Sequence, residues 1–208
     1  LLSAVKSCNR CCDAKFFAIA ESNREGARRL TGWFVRGHRK NLCGGLAIAT
    51  AEIEHIKEIV RTVETRESAR DALIHDSWVR CIMNHRLDPT IMRPAVIVEE
   101  HYVRERREAI DNLLRTARFG VEALYKQVAG LGYVLLLTDD EGITVDYIGD
   151  EATTDHLRQA GLYLGADWNE RRAGTNGTGT CIATGEALTV HQTDHFDAQH
   201  IPLSCTVA

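Results

Sequence analysis

The sequence has no run of about eighteen apolar residues, the length a helix needs to cross a bilayer, so no transmembrane helix is expected. The longest apolar stretch near the start, Leu42 to Ala51, is short and carries two glycines. No charged leader with a small-residue cleavage site accompanies it, so a secretory signal is not expected and the cytoplasm is the expected compartment. Paired catalytic carboxylates and a nucleophile elbow are both lacking. The seven cysteines are an odd number in a chain of 208 residues, unlike the short, evenly paired secreted scaffolds. Cys8, Cys11 and Cys12 form a CxxCC cluster, but no second CxxC or CxxH pair lies nearby to complete a tetrahedral zinc site. Reduced thiols are the expectation, with no resident metal and no cofactor.

What is present is close to average for a soluble globular protein, at 44% hydrophobic and 26% charged residues. The formal charge of −4 is unevenly divided. Residues 1–50 hold nine Lys/Arg against three Asp/Glu, and the remaining 158 residues sixteen against twenty-six. A basic head on an acidic body can be a nucleic-acid arm, but here the basic residues are scattered among Phe, Trp and Cys without period. With no initiating Met, residues 1–50 are expected to be a disordered or spurious basic extension that adds little to the folded core.

From Ala51 the pattern becomes helical. Ile53, Ile56, Ile59/Val60 and Val63 fall on one stripe, and residues 66–84 continue with Leu73, Ser77 and Cys81 on one line and Ile74, Trp78 and Ile82 on another. Pro89 disfavours helical geometry at the residue before it, so the helix should stop ahead of Leu87-Asp88-Pro89. A further helix is predicted over about 99–129, its apolar face made by Ile110, Leu113, Leu114, Ala117, Val121, Leu124, Tyr125 and Val128, with Gly130 and Gly132 ending it. The period then changes. Tyr133–Thr138 and Ile143–Ile148, separated by Asp139-Asp-Glu-Gly142, read as an antiparallel hairpin. A short helix over about 151–160, another ending near residue 184, a strand over 187–191 and a strand from about Leu203 complete the chain. The class is α+β: a helical region over 51–98, then over 99–208 an antiparallel sheet covered by helices and incomplete at its C-terminal end.

Three stretches could carry chemistry. Gly174-Thr-Asn-Gly-Thr-Gly-Thr-Cys181 has the close-set glycines that let amides approach a phosphate, but it lacks the Gly-Lys-Ser/Thr ending. The plainer reading is a tight turn opening a helix, capped by Thr178 or Thr180. His191, His195, His200 and Cys205 lie within fifteen residues and could ligate zinc or iron, or could be histidines bonded to loop carbonyls. Cys181 near a helix start could be an activated nucleophile or a buried structural thiol.

Several segments together resemble the N-terminal sensory region of bacterial enhancer-dependent transcription activators of the acetoin catabolism regulator type. They are Glu67-Ser-Ala-Arg70, Ser77-Trp-Val-Arg-Cys81, Leu87-Asp-Pro89 and Gly132-Tyr-Val-Leu-Leu-Leu-Thr-Asp139. The most specific set is Gly165-Ala-Asp-Trp168, Gly174–Cys181, Glu186–His191, His195-Phe196, His200 and Leu203-Ser-Cys205. The resemblance implies a GAF-type domain that binds a small-molecule effector, in a non-enzymatic, homo-oligomeric regulator. It also implies a downstream ATPase acting on polymerase carrying sigma-54, and a DNA-binding helix-turn-helix. No Walker motif occurs in these residues, so neither ATP hydrolysis nor direct DNA binding is expected of them. Because GAF pockets generally lie between the sheet and its covering helices, Tyr133, Leu135, Trp168, Cys181 and His191 are the candidate ligand-binding residues. The expected pocket is bounded by strand 133–137 and turn 174–181, with 187–200 as its outer wall. Alternatives are a metal or redox sensor at the His/Cys cluster, or a thiol enzyme using Cys181.

Overall fold

The computed structural model describes residues 17–22, 42–67, 69–131, 133–149, 158 and 160–207, with side chains from residue 50 onward. Its elements are β1 (Phe17–Ser22), α1 (Leu42–Thr65), α2 (Ala72–Val79) running into a π-helical turn (Arg80–Asn84), α3 (Glu100–Ala109) and α4 (Asp111–Val128). β2 (Tyr133–Thr138), β3 (Thr144–Ile148), α5 (Glu170–Ala173), α6 (Gly177–Thr184), β4 (Leu188–His191) and β5 (Leu203–Val207) follow. The fold is mixed α+β, as the sequence implies. Among the described residues the strands form one antiparallel sheet in the order β3-β2-β1-β5-β4.

Two expectations change here. Residues 1–50 were expected to stand apart from the core, yet 17–22 form the middle strand, paired with β2 on one side and β5 on the other. Leu42–Ala51, short as an apolar run, is the beginning of the 24-residue α1. The helix expected over about 99–129 is two helices meeting at Ile110, whose φ of −119° and ψ of 18° break the α geometry. The CxxCC cluster and most of the helix expected over 151–160 lie outside the described residues.

Alternation along β2 divides its side chains between two faces. Val134 and Leu136 face a core of Leu162, Ala166, Trp168, Cys181, Leu203, Cys205 and Val207. Leu137 lies on the other face, where it packs with Val145 and with Leu114 of α4. A second core joins the leading helices to the far edge of the sheet: Ile59, Ile74, Trp78 and Cys81 pack with Val190 and Phe196. The helices of 51–84 therefore share a core with the sheet domain. Leu114 is 8% exposed against β2 and β3. Leu114→Ala is expected to cost about 2–3 kcal/mol, toward the low side of the usual range for buried leucine because some exposure remains. Urea denaturation followed by far-UV dichroism measures it, and a loss below ~0.5 kcal/mol, typical of surface changes, would mean that the face is unpacked.

Candidate functional site

The Gly-rich turn is organised by Asn176, which the sequence reading passed over in favour of its threonines. Its side chain accepts from the Gly179 amide at 2.9 Å, capping α6, and its Nδ2 donates to the carbonyls of Trp168 and Gly174, both at 2.8 Å. Thr178 and Thr180 lie inside the helix. The available signal was Asn followed by glycine, a good N-cap ahead of a short helix. The glycines serve close packing. A Cβ on Gly174, whose φ is +70°, would sit 2.6 Å from Phe196 Cβ, and one on Gly179 would sit 2.5 Å from the Trp168 carbonyl oxygen. A turn whose capping amide and free space are used up by its own chain is not open to a phosphate.

Behind this turn lies a buried carboxylate. Glu170, 2% exposed, accepts from Arg80 Nε at 2.9 Å and Nη2 at 3.0 Å, from Thr180 Oγ1 at 3.1 Å, and from Ser77 Oγ. Ser77 also meets Thr175 at 2.6 Å. Arg80 and Ser77 come from the α2–π segment, and the threonines from the turn. A buried charge is tolerable only when paired and fully hydrogen-bonded, and this one pins the leading helices to the turn. The hydrogen bond to Glu170 raises the Arg80 guanidinium further above its ordinary value. A parallel clamp forms at the sheet edge, where Arg70 meets Glu58 at 2.8 Å and also binds Asp194, while Trp78 Nε1 donates to the Asp194 carbonyl at 3.0 Å.

The three downstream histidines do not converge with Cys205. His191 follows the buried Val190 on β4, so it lies on the opposite face, exposed and bonded to Ser204. His195 is fully buried, its Nδ1 against the Gln192 carbonyl at 2.9 Å. His200 lies between the rings of His195 and Trp168, at centroid distances of 5.9 and 5.3 Å. Among the described residues no group of three or more His, Cys, Asp and Glu is arranged to hold a metal ion. Burial pulls the His195 imidazole down to about 3 and lowers His200 and His55 as well. Burial also pushes the thiols up, Cys181 to about 11 and Cys81 and Cys205 to about 12. Thiols of this kind are protonated at neutral pH and poor nucleophiles.

Of the five candidate residues, Trp168 and Cys181 come together in the core under β2 and β5. Leu135 is buried on the other side of β2, beside Val121 of α4, and Tyr133 is half-buried at the start of the strand. His191 is exposed on the face away from the core. The space around Trp168 is a cavity of about 20 Å³, bordered by Arg93, Asp167, Arg172, Asp197 and His200, enough for a single water-sized molecule. Trp168 Nε1, His195 Nε2 and His200 Nδ1 have no hydrogen-bond partner among the described residues.

A much larger space opens elsewhere. A cleft of about 1040 Å³ lies between α3, α4, β3 and residues Arg158, Tyr163 and Leu164. Val98, Val103, Leu114 and Tyr163 supply apolar lining, and Arg104 and Arg158 supply donors. The Arg158 guanidinium lies 5.3 Å from the centroid of Tyr163, which tilts against Tyr147 at 4.7 Å. Arg107 closes the floor, donating to the Val145 carbonyl at 2.7 Å beside Asp146. Ligand sites usually combine such an apolar wall with a few convergent polar groups, at volumes of roughly 300–1,000 Å³. The sequence reading placed the pocket against strand 133–137 and turn 174–181, and this cleft was not anticipated.

No family profile matches the chain. The resemblance read from the sequence is nonetheless borne out. The chain is 53% identical over 163 residues, 74% of its length, to the acetoin catabolism regulatory protein of Cupriavidus necator, covering 24% of that protein. It is 20% identical over 157 residues to the acetoin dehydrogenase operon transcriptional activator of Bacillus subtilis, covering 76% of this chain and 26% of that one. The chain thus spans about a quarter of the length of the curated relatives it matches. Among solved structures, the crystal structure of the E. coli DhaR(N)-DhaL complex superposes with a TM-score of 0.59 at 16% identity, over 66% of this chain and 52% of that one. The fold is therefore shared with that structure.

Proposed function

We propose that this chain is the signal-sensing region of a bacterial transcription activator, binding a small-molecule effector and passing its occupancy to segments that act on transcription. The observation that supports this most is the 53% identity to a regulator of acetoin catabolism across three quarters of the chain. In this reading residues 51–98 are a helical leading region and 99–208, completed by the middle strand 17–22, the GAF-type sensory domain. The longer protein works in the cytoplasm, where an ATPase and a DNA-binding domain carry out the response. The sensing region itself neither turns over substrate nor touches DNA. No described helix is long and apolar enough to cross a membrane.

Two places could hold the effector: the α3–α4–β3 cleft, and the space around Trp168 and Cys181 with Tyr133, Leu135 and His191 as outlying members. Volume favours the cleft, because about 20 Å³ beside Trp168 admits no metabolite unless the core opens. Acetoin is the natural first probe, since a regulator of a catabolic route commonly responds to the compound being broken down. Its carbonyl and hydroxyl oxygens suit arginine donors, and its methyl groups suit Val103 and Tyr163. Calorimetric titration of acetoin and related small hydroxyketones into the 208-residue chain is expected to give saturable binding, weakened at least tenfold by Tyr163→Ala. If Trp168→Ala and Cys181→Leu abolish binding while Tyr163→Ala leaves it intact, the effector sits in the sheet-side core. No saturable heat with any of the probes counts against the sensing reading. A thiol-enzyme reading is disfavoured by the raised Cys181 pKa.

A further inference from the structure

The α3–α4–β3 cleft is out of keeping with the charge of the chain around it. Residues 51–208 carry sixteen Lys/Arg against twenty-six Asp/Glu, yet the cleft is lined by five of those cations and only four of the carboxylates. Most of the lining charges cancel in place. Asp111 takes Arg115, one turn along α4. Asp146 lies 3.6 Å from Arg107 and 3.8 Å from Arg118, and Arg118 also meets Glu122 at 2.9 Å. Two arginines are left over. Arg104 has Glu108 at 3.9 Å, but both side chains are mostly exposed and such a contact has little weight. Arg158, which comes from outside the two helices, has no carboxylate partner among the described residues. Neither has Glu100 a cationic one, so it is the lining carboxylate that would oppose an incoming anion.

We propose that the cleft binds a small oxyanion, the carboxylate or phosphate group of a second ligand, held by the Arg158 guanidinium with Arg104 as the supporting cation. This rests on the cleft being a ligand site, as proposed for the effector, and adds the class of what binds beside it. Three observations carry it. Arg158 is held by an aromatic ring and not by a carboxylate: its guanidinium carbon lies 5.3 Å from the centroid of Tyr163, which tilts against Tyr147 at 4.7 Å. A cation–π contact occupies the face of a guanidinium and leaves its N–H edge, the part that grips a carboxylate or phosphate with two parallel bonds. The surrounding body is acidic, so an anion is repelled over most of the surface and drawn to the place where arginines gather between low-dielectric walls. The cleft also has room, since about 1040 Å³ suits a ligand far larger than a four-carbon hydroxyketone. Arg104 belongs to α3 and Arg158 to the segment beyond β3, so an anion bound by both would tie the two walls together.

Calorimetric titration of sodium acetate and of sodium phosphate into the 208-residue chain tests it, with ionic strength held constant by chloride so that screening does not change. Saturable binding of at least one anion is expected. Acetate bound more tightly identifies a carboxylate ligand, and phosphate bound more tightly a phosphate ester. Arg158→Ala is expected to weaken binding at least tenfold with far-UV dichroism unchanged, since the side chain is exposed. Arg158→Lys should recover only part of the loss, because lysine keeps the charge without the planar fork. Glu100→Gln should tighten binding. Arg115→Ala, whose guanidinium Asp111 already takes, should change it by less than about twofold. No saturable binding of either anion, or equal weakening by Arg158→Ala and Arg115→Ala, would overturn the site. Acetoin titrated in the same buffers separates this proposal from the reading it rests on. Acetoin bound without either anion overturns the oxyanion site alone, whereas an anion bound without acetoin upholds the site and counts against acetoin as the effector.

Discussion

Replacing Trp78 with alanine is expected to destabilise the protein by about 3–5 kcal/mol, the range for truncating a large buried aromatic, and in one cooperative step that includes the sheet. Trp78 is fully buried between α1, α2 and the β4–β5 connection, packed with Ile59, Ile74, Val190 and Phe196. Its indole donates to the Asp194 carbonyl at 3.0 Å, and the Arg70 guanidinium lies 5.4 Å from the ring centroid. Alanine leaves a cavity and orphans the carbonyl, and the two costs add. Urea denaturation watched both by far-UV dichroism and, in a Trp33→Phe background, by the fluorescence of Trp168 measures the effect. Coincident transitions shifted to lower urea mean that helices 51–84 and the sheet fold as one unit. A Trp168 transition left in place would make those helices a separate appendage.

The second large effect is acid sensitivity. His55, His195 and His200 are held below their ordinary pKa chiefly by burial, His195 at about 3. For His55 the charge of Glu58 works against burial and that of Arg70 with it; for His200 Asp197 opposes burial; His195 is further lowered by its neighbouring histidines. The unfolded chain protonates these imidazoles near 6.5 and the folded chain does not, so the unfolded state binds more protons below that pH. Stability is therefore fully present above about pH 6.5 and falls as pH drops from there toward the folded value, by up to ~1.4 kcal/mol per pH unit for each imidazole. Urea midpoints at pH 7.5, 6.5 and 5.5 should fall steeply over the last interval, and His195→Gln should flatten the slope. A midpoint independent of pH between 7.5 and 5.5 would show that these histidines take up protons in the folded state.

How much of this was written legibly in the sequence depends on how local each feature is. The hairpin 133–148 was readable because a short apolar run and an alternating strand flank an Asp-rich turn, and α6 because the Gly-rich stretch opens a short helical run. The break between α1 and α2 was not. Arg66 takes a φ of +56° without being glycine, and Asp71, accepting from the Leu73 amide at 2.8 Å, restarts the helix. Neither carries a conspicuous signal amid 66–84. The break at Ile110 is likewise unmarked by any proline or glycine.

The role of 17–22 was hidden for a different reason. Its six residues are a plausible strand only once β2 and β5 offer edges to pair with, and nothing nearby in sequence reveals that. The site shows the same contrast. Trp168 and Cys181, both from distinctive local motifs, do lie in one buried cluster. Leu135 and His191 were grouped with them because GAF pockets generally lie between the sheet and its covering helices, although alternation places each on the far side of its strand from that core. The buried partnership of Glu170 with Arg80 and Ser77 joins residues some ninety positions apart, and no spacing rule reaches that far.

The account rests on the chain being a sensory module, and an exchange of regulatory regions tests that most directly. Residues 17–207, which include the middle strand β1 and the whole of α1, would replace the regulatory segment of the acetoin catabolism regulatory protein of Cupriavidus necator, and output from that regulator's promoter would be measured with and without acetoin. The account predicts a hybrid that is silent without inducer and raises transcription in a dose-dependent way when acetoin is added, with Tyr163→Ala shifting the response to higher concentration. A hybrid present at normal levels whose output is flat across the acetoin range, whether fixed on or fixed off, would contradict it.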